Sequence, residues 1–501
     1  MNSQQLRMMK QFVIILLTMF FGCTILASGQ GNVRHLTLNE AIEIAKANSP
    51  DALNTKQKFR TSYWEFRSFR ASNLPALGLT SNLPNLKQGF STYQDSTGKI
   101  SYVRSQYFSS NMALGLTQQI GITGGTISLN SSLEGTWNQA GDNPYPFLSV
   151  PVNVVFNQPL FTYNSFRWDR KIQPLKYSQA KRRYLEEVED ISLNTINHFF
   201  TLLQAQVEQK IALVNLSNYD TMYRIAKGRF QLGKIAENDL LQMELNFLKE
   251  QAAVENANLN LENAQFRLKS YLRLQDTARI RLVAPAEIGF FSIDPATSVN
   301  LAVEYSSTSL DYKRRLLEAA RQVNIAKMDK RFDANVHVEV GLTKSGTTIP
   351  DSYIKPLDNR MLSVDLTIPI LDWGVSHGKI KMAQSEDEVV KNSVEQESID
   401  FKQTVYLKAV QFNMQKNQVR IAAKSDTVAR KSFEVIKGRY LIGKINSILD
   451  LNSAQIATDN AEKSYYGALQ TYWQNYYEIR KLTLFDFRAN KPIEFDFKDI
   501  K

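Results

Sequence analysis

The sequence predicts an α+β protein in which alternating β-strands are joined to very long α-helices, the whole plan being laid out twice along the chain. Three observations point there. The 14 prolines leave two long windows, 175–284 and 370–491, without any, and proline is the residue that interrupts helices. Before each window lie segments whose apolar and polar residues alternate, the period of a strand with two unlike faces. Finally, Lys227-Gly228-Arg229-Phe230-Gln231-Leu232-Gly233-Lys234-Ile235 returns 210 residues later as Lys437-Gly438-Arg439-Tyr440-Leu441-Ile442-Gly443-Lys444-Ile445, with six of nine positions identical.

Composition removes several classes. With 501 residues, 43% hydrophobic and 22% charged, the chain is neither a disordered polymer nor a polytopic helical membrane protein. The single cysteine, Cys23, excludes a disulfide framework, and His35, His198, His337 and His377 are too scattered for a structural zinc site. His337 and His377 are expected on a strand and at a helix start. The net charge of +11 reads as a solvated basic surface, with no nucleic-acid partner.

Residues 1–29 read as a secretory signal peptide. Arg7 and Lys10 precede an apolar run from Phe12 to Ala27, which ends in Ala27-Ser28-Gly29. Cleavage is expected after Gly29. A lipoprotein alternative would place the lipid on Cys23, where the Phe20-Phe21 pair fits poorly. Beyond residue 30 nothing approaches 18 consecutive apolar residues, so a membrane-inserted form would have to be a closed β-barrel.

The elements follow in order. Strands are expected over 77–82, 111–119, 126–137 and 148–157, with a turn at Thr123-Gly124-Gly125; 85–105 and 141–146 read as loops. From Leu175 to Ala226 neither glycine nor proline occurs, a run of roughly 78 Å as α-helix. Its apolar stripe Val188, Ile191, Thr195, Phe199, Leu203, Val207, Ile211, Val214, Asn218, Met222 and Ile225 steps by three or four residues. A second helix follows Gly233. One of its heptad tracks (Leu245, Ala252, Leu259, Phe266) is apolar, while the other passes from Leu241 and Leu248 to Glu255 and Glu262. The second half offers strands over 334–342 and 361–368, then a helical hairpin whose returning arm carries Ala454, Ala457, Ala461, Ala468 and Tyr472.

Two further echoes support the duplication. Pro159-Leu160-Phe161-Thr162-Tyr163-Asn164 matches Pro369-Ile370-Leu371-Asp372-Trp373-Gly374 in type, again 210 residues apart. More weakly, 38–43 resembles 299–304. The expected organisation is a first repeat over 30–275, with a hairpin tip near 228–234, and a linker over 276–296. A second repeat covers 297–482, with a tip near 438–444, and a C-terminal segment covers 483–501.

No catalytic, cofactor-binding or metal-ligating set is expected. H-E-x-x-H and G-x-S-x-G are absent. Gly228-x-x-x-x-Gly233-Lys234 imitates a phosphate-binding loop but continues with Ile235, where a hydroxyl is needed for Mg²⁺, and it follows a helix instead of a strand. It reads as a helix–turn–helix tip whose glycines supply positive φ. A carboxylate opens each returning helix, Asp239 in the first half and Asp450 in the second. Ser447-Ile448-Leu449-Asp450 has capping-box spacing, with Asp replacing the usual Glu, and a first-turn carboxylate suits the helix dipole.

These paired tips, paired strand exits and the signal segment resemble the TolC-like outer-membrane efflux protein family over about 37–482. The resemblance implies a homotrimer whose strands build one membrane β-barrel in outer-membrane lipid, and whose helices form a periplasmic α-barrel. It implies a periplasmic adaptor and an inner-membrane pump as partners. It places Gly228, Arg229, Phe230, Gly233, Gly438, Arg439, Tyr440 and Gly443 at adaptor-contacting tips, and Asp450 at the entrance constriction. The family's type member has a second carboxylate one turn later, where this chain has Ser453. The family gives four strands per protomer; here the second half shows two and the first about four, so that 111–137 reads as an added hairpin. The implied function is the outer-membrane channel of a tripartite efflux or type I secretion system, conducting passively. A periplasmic structural or adhesive coiled coil is the alternative, and a secreted enzyme on a helical scaffold is the more remote one.

Overall fold

The computed structural model describes residues 33–138, 145–275, 278–285, 289–444 and 448–500. The signal segment, Cys23 and the Ser447 cap therefore lie outside the described residues.

Strand β1 (Val33–Leu36) leads into helices α1 (Leu38–Asn48) and α2 (Pro50–Ala71). Four strands follow: β2 (Ala76–Gln94), β3 (Ile100–Ile120), β4 (Gly125–Asn138) and β5 (Phe147–Leu160). The first long hairpin is α3 (Ser165–Gln231) and α4 (Glu237–Leu272). After β6 (Arg279–Leu282) come α5 (Pro295–Tyr305), α6 (Ser307–Asp329), β7 (Asp333–Gly346) and β8 (Leu357–Thr367). The second long hairpin is α7 (Val375–Leu441) and α8 (Ile448–Thr483). The arms match in length, 67 and 36 residues in each half. Helix α3 begins ten residues before the proline-free window, because Pro174 sits within its early turns.

The chain divides into two compact units, each drawn from both halves. One unit comprises 1–56, 185–302 and 405–494. It holds the hairpin tips and a core in which Phe199, Phe200, Phe412, Tyr472 and Tyr476 are buried together. Thr37 and Glu40 close a capping box at α1. Strands β1 and β6 pair in parallel. Arg480 is held between the buried Glu189 and Asp486 at 3.1 and 2.9 Å.

The apolar stripe expected on α3 is buried at Ile191, Thr195, Phe199, Leu203, Val207 and Met222. Val214 departs from it and is exposed. On α4 the heptad track does not face the chain's own core. Leu245, Leu259 and Phe266 are exposed, while Met243, Ala257, Ala264 and Leu268 are buried. Helix α7 shows the same arrangement: Leu407, Met414, Ile421, Val428 and Val435 recur every seventh residue and are all exposed.

The other unit comprises 57–184, 303–404 and 495–501. It carries one antiparallel sheet in the order β2-β3-β4-β5-β7-β8. The tract 85–105 is not a loop, as its broken alternation suggested, but the distal part of a β2–β3 hairpin paired from Asn85↔Ser109 to Gln94↔Ile100. Its turn is built by Asp95, whose carboxylate accepts from the backbone N–H groups of Thr97 and Lys99, with Gly98 at φ +84°. The residues of the expected added hairpin, 111–137, fall within β3 and β4. Strands β3 and β4 lie in the interior of the sheet between β2 and β5.

Candidate channel wall and helical tips

The sheet has two unlike faces because its register keeps like residues opposite one another. On one face Leu79 pairs Leu114, Leu116 pairs Leu129, and Leu129 pairs Val154. Val154 pairs Val340, and Val338 pairs Leu362. The apolar band thus crosses all six strands, and Leu79, Leu114, Leu129, Val154, Val340 and Leu362 are all exposed. Aromatic residues flank it. Phe108, Trp137 and Phe147 cluster at one end, and Phe161 meets Phe332 at the other, 4.6 Å between ring centres.

The opposite face is polar. Gly115 pairs Asn130, Asn130 pairs Asn153, Asn157 pairs His337, and Asn335 pairs Asp365. Glu339 accepts hydrogen bonds from the amides of Asn153 (2.8 Å) and Asn359 (3.2 Å), and His337 contacts Asn157 at 2.5 Å. One apolar face bounded by aromatics and one polar face are what a lipid-facing, water-lined wall requires.

At the strand exits an Asx side chain starts each long helix. Asn164 accepts from the Arg167 N–H at 3.2 Å. Asp372 accepts from Gly374 and Ser376 at 3.0 and 2.9 Å, and the Ser376 and Gly374 hydrogen bonds hold its carboxyl down to about 2.

In the other unit, the tips are two copies of one capping geometry. Lys234 N–H donates to Arg229 O and Gly233 N–H to Phe230 O; Lys444 N–H donates to Arg439 O and Gly443 N–H to Tyr440 O. This is the Schellman arrangement, with Gly233 at φ +69° and Gly443 at φ +75°. Gly228 and Gly438 take no part in it. Both are helical, and a Cβ added there would meet nothing within 4 Å. The expectation of positive φ holds for only one glycine of each pair.

The two Arg-aromatic pairs, equivalent in sequence, are used differently. Arg229 donates to Tyr440 O and Leu441 O at 3.0 and 3.1 Å and lies 5.2 Å from the Tyr440 ring centre. Tyr440 is 2% exposed, packed with Met222, Met243, Phe433, Ile448 and Leu451. Tyr440, expected among the adaptor-contacting tip residues, is instead a buried plug beneath the second tip, and Arg229 clasps it from the first. Phe230 (39% exposed) and Arg439 remain on the surface. Asp239 and Asp450 both stand in the first turns of their helices, with Asp450 exposed.

A polar network behind the tips went unnoticed in the sequence. Tyr219 and Asn246 both donate to Asn452 Oδ1, at 2.8 and 3.1 Å. Asn215 and Gln455 donate to Asp459 at 2.8 and 3.0 Å. Burial raises the Asp459 carboxyl, and burial together with the Asp459 charge raises that of Glu250. The available signal was the placement of Asn215, Asn246 and Asp459 one helical step from apolar positions.

Residues 41–272 match the model of the outer membrane efflux protein family. Over that stretch, a little under half of its length, the chain is similar to that family. No curated protein matches it. Among solved structures, the chain is similar to the Campylobacter jejuni CmeC outer membrane channel, at 16% identity and a TM-score of 0.65, covering 92% of this chain and 88% of that one. The outer-membrane channel OprN is similar at 14% identity and a TM-score of 0.64, covering 89% of each chain. The outer membrane protein VceC of Vibrio cholerae follows at 13% and 0.60, covering 91% and 97%. At these identities the likeness to solved channels is one of fold. The chain shares with them its mixed helical and sheet architecture.

Proposed function

We propose that the chain is the outer-membrane channel of a tripartite efflux or type I secretion system. In this reading it is a homotrimer whose strands form one β-barrel in outer-membrane lipid and whose long helices form an α-barrel in the periplasm. It conducts passively, breaks no bond and uses no cofactor, and an inner-membrane pump supplies the driving force.

The observation that carries this reading is the six-strand apolar band with a polar face behind it. A soluble periplasmic coiled coil has no use for such a sheet, which would aggregate in water. The exposed seven-residue tracks on α4 and α7 give the helices a coiled-coil seam for neighbouring copies. The duplicated plan, in which two 67-residue and two 36-residue helices follow two sets of strands, supports the two-repeat organisation over 30–275 and 297–482.

At the tips, Phe230 and Arg439 are the surface groups available to a periplasmic adaptor, with the Gly228–Gly233 and Gly438–Gly443 turns presenting them. Arg229 and Tyr440 brace the pair of tips from within. Asp450, once per protomer, would ring the periplasmic entrance.

Membrane fractionation followed by sedimentation of the detergent-extracted protein tests the reading. A trimer recovered from the outer membrane is expected; a helical monomer recovered with soluble periplasmic contents would overturn it.

A further inference from the structure

We infer that all six strands of each copy enter the barrel wall, so that three copies close an 18-stranded barrel through a β2–β8 seam between neighbours. The inference rests on the trimeric channel reading and goes beyond it, since the family pattern of four strands per protomer would give 12.

Three features of the sheet lead there. First, β3 and β4 are interior strands, hydrogen-bonded along both sides. Removing them from the wall would break a continuous ladder. Second, the apolar band does not stop at β4. It reaches both edges, at Leu77 and Leu79 on β2 and at Leu362, Val364 and Leu366 on β8, all exposed. An apolar face extending to an edge strand places that edge's unpaired N–H and C=O groups in hydrocarbon, which only closure onto another strand relieves. Third, six is an even number in a sheet that is antiparallel throughout. Strands β2 and β8 therefore run in opposite senses, and β8 of one copy meets β2 of the next antiparallel, as every other pair does.

Pro84 marks how far the seam runs. It lies at the register shift between Asn82 and Asn85 on β2, and proline is tolerated on an edge strand or at a bulge because it has no N–H to give. Ala76–Asn82 is thus the part of β2 that pairs outward along the apolar band. The distal β2–β3 hairpin, 85–108, stands beyond the band as a projection from the wall.

The consequence is a wider outer-membrane passage. Barrel diameter grows roughly linearly with strand number, so 18 strands give a lumen about 1.5-fold wider than 12, in the range of water-filled porins. The cargo limit would then be set at the helical entrance instead of the membrane barrel.

Disulfide trapping in the assembled full-length protein tests this. Thr80 on β2 and Met361, Ser363 and Asp365 on β8 all lie on the polar face. Within one copy the two edge strands are five strand spacings apart, about 24 Å along the sheet, far beyond the ~7 Å Cα limit of a disulfide. A bridge can form only between copies. T80C combined in turn with M361C, S363C or D365C is expected to give, after mild oxidation, a covalent trimer on denaturing gels that collapses on reduction, with single-cysteine variants as controls. Ser132 on β4 supplies the rival seam. A detergent-extracted trimer that forms no Thr80 bridge, or that instead bridges in S132C/S363C, leaves the β2–β3 hairpin outside a 12-stranded wall and overturns the inference while keeping the channel. A protein that is monomeric throughout overturns both.

Discussion

The Arg229 guanidinium of the first hairpin caps the end of the second, donating to Tyr440 O and Leu441 O and lying over the Tyr440 ring. The repeated motif thus does two jobs in one protein. Its first arginine and second aromatic brace the tips, while its first aromatic and second arginine face outward. Arg229→Ala should lower the stability of the tip region by roughly 1–3 kcal/mol, because two helix-end carbonyls lose a charged donor and the Tyr440 ring loses its cover. Limited proteolysis should then cleave within 225–245 sooner than in the parent. Arg439→Ala should leave protease resistance unchanged, within about 0.5 kcal/mol. Equal sensitivity of the two variants would contradict the division of labour.

Export assays separate the same residues on the functional side. Arg439→Glu, alone or with Phe230→Ser, should reduce export with trimer yield unchanged, since these side chains lie on the surface. Arg229→Glu should reduce export and tip stability together. Normal export by the Phe230→Ser/Arg439→Glu variant would remove the adaptor role.

The glycine pairs make a stability prediction of opposite signs. Gly228→Ala and Gly438→Ala have helical backbone and open space around the new methyl, so each should stabilise by about 0.5–1 kcal/mol. Gly233→Ala and Gly443→Ala force an L-residue into φ +69° and φ +75° and should cost about 1–2 kcal/mol. Thermal melts of the four variants decide it.

Asp459 and Glu250 set a pH dependence. Their carboxyl pKa values are raised in the folded protein, so the folded state holds protons that the unfolded chain has released. Their contribution is most favourable at low pH and is lost as pH rises from the ordinary carboxylate range through the folded values. Asp459→Asn keeps an acceptor for Asn215 without the charge. Relative to the parent it should gain stability at pH 7 and gain nothing near pH 4. A constant difference in melting temperature across that range would show that Asp459 is ionised throughout.

Asp450 tests the entrance. Three copies around a symmetry axis would attract cations, and salt would screen the effect. Asp450→Asn should then lower cation selectivity and relieve block by multivalent cations. A carboxylate that only serves its helix dipole would cost about 0.3–1 kcal/mol on substitution and leave conduction untouched.

Much of the architecture was legible in the sequence because long periodic elements announce themselves. Proline-free windows bounded the two long hairpins, and alternation found the cores of all six strands. The distal β2–β3 hairpin was missed because Pro84, Lys87-Gln88 and Gly89 break alternation beyond the apolar band. The Asp95–Gly98 turn was the overlooked signal. At the tips, local spacing located both Schellman glycines but could not rank them, since positive φ depends on which residue ends the helix. Nor could it separate Phe230 from Tyr440. That difference is made by Arg229 and Met243 arriving from the other hairpin, a contact more than 190 residues distant in sequence.

Conduction by this chain across a membrane is measured directly by planar-bilayer recording of the purified, detergent-extracted trimer. Discrete, long-lived conductance steps that scale with salt concentration, and that lose cation preference in Asp450→Asn, are the predicted result. Correctly folded trimers that insert into lipid yet give no conductance under any voltage or salt condition, with or without Asp450, would contradict it.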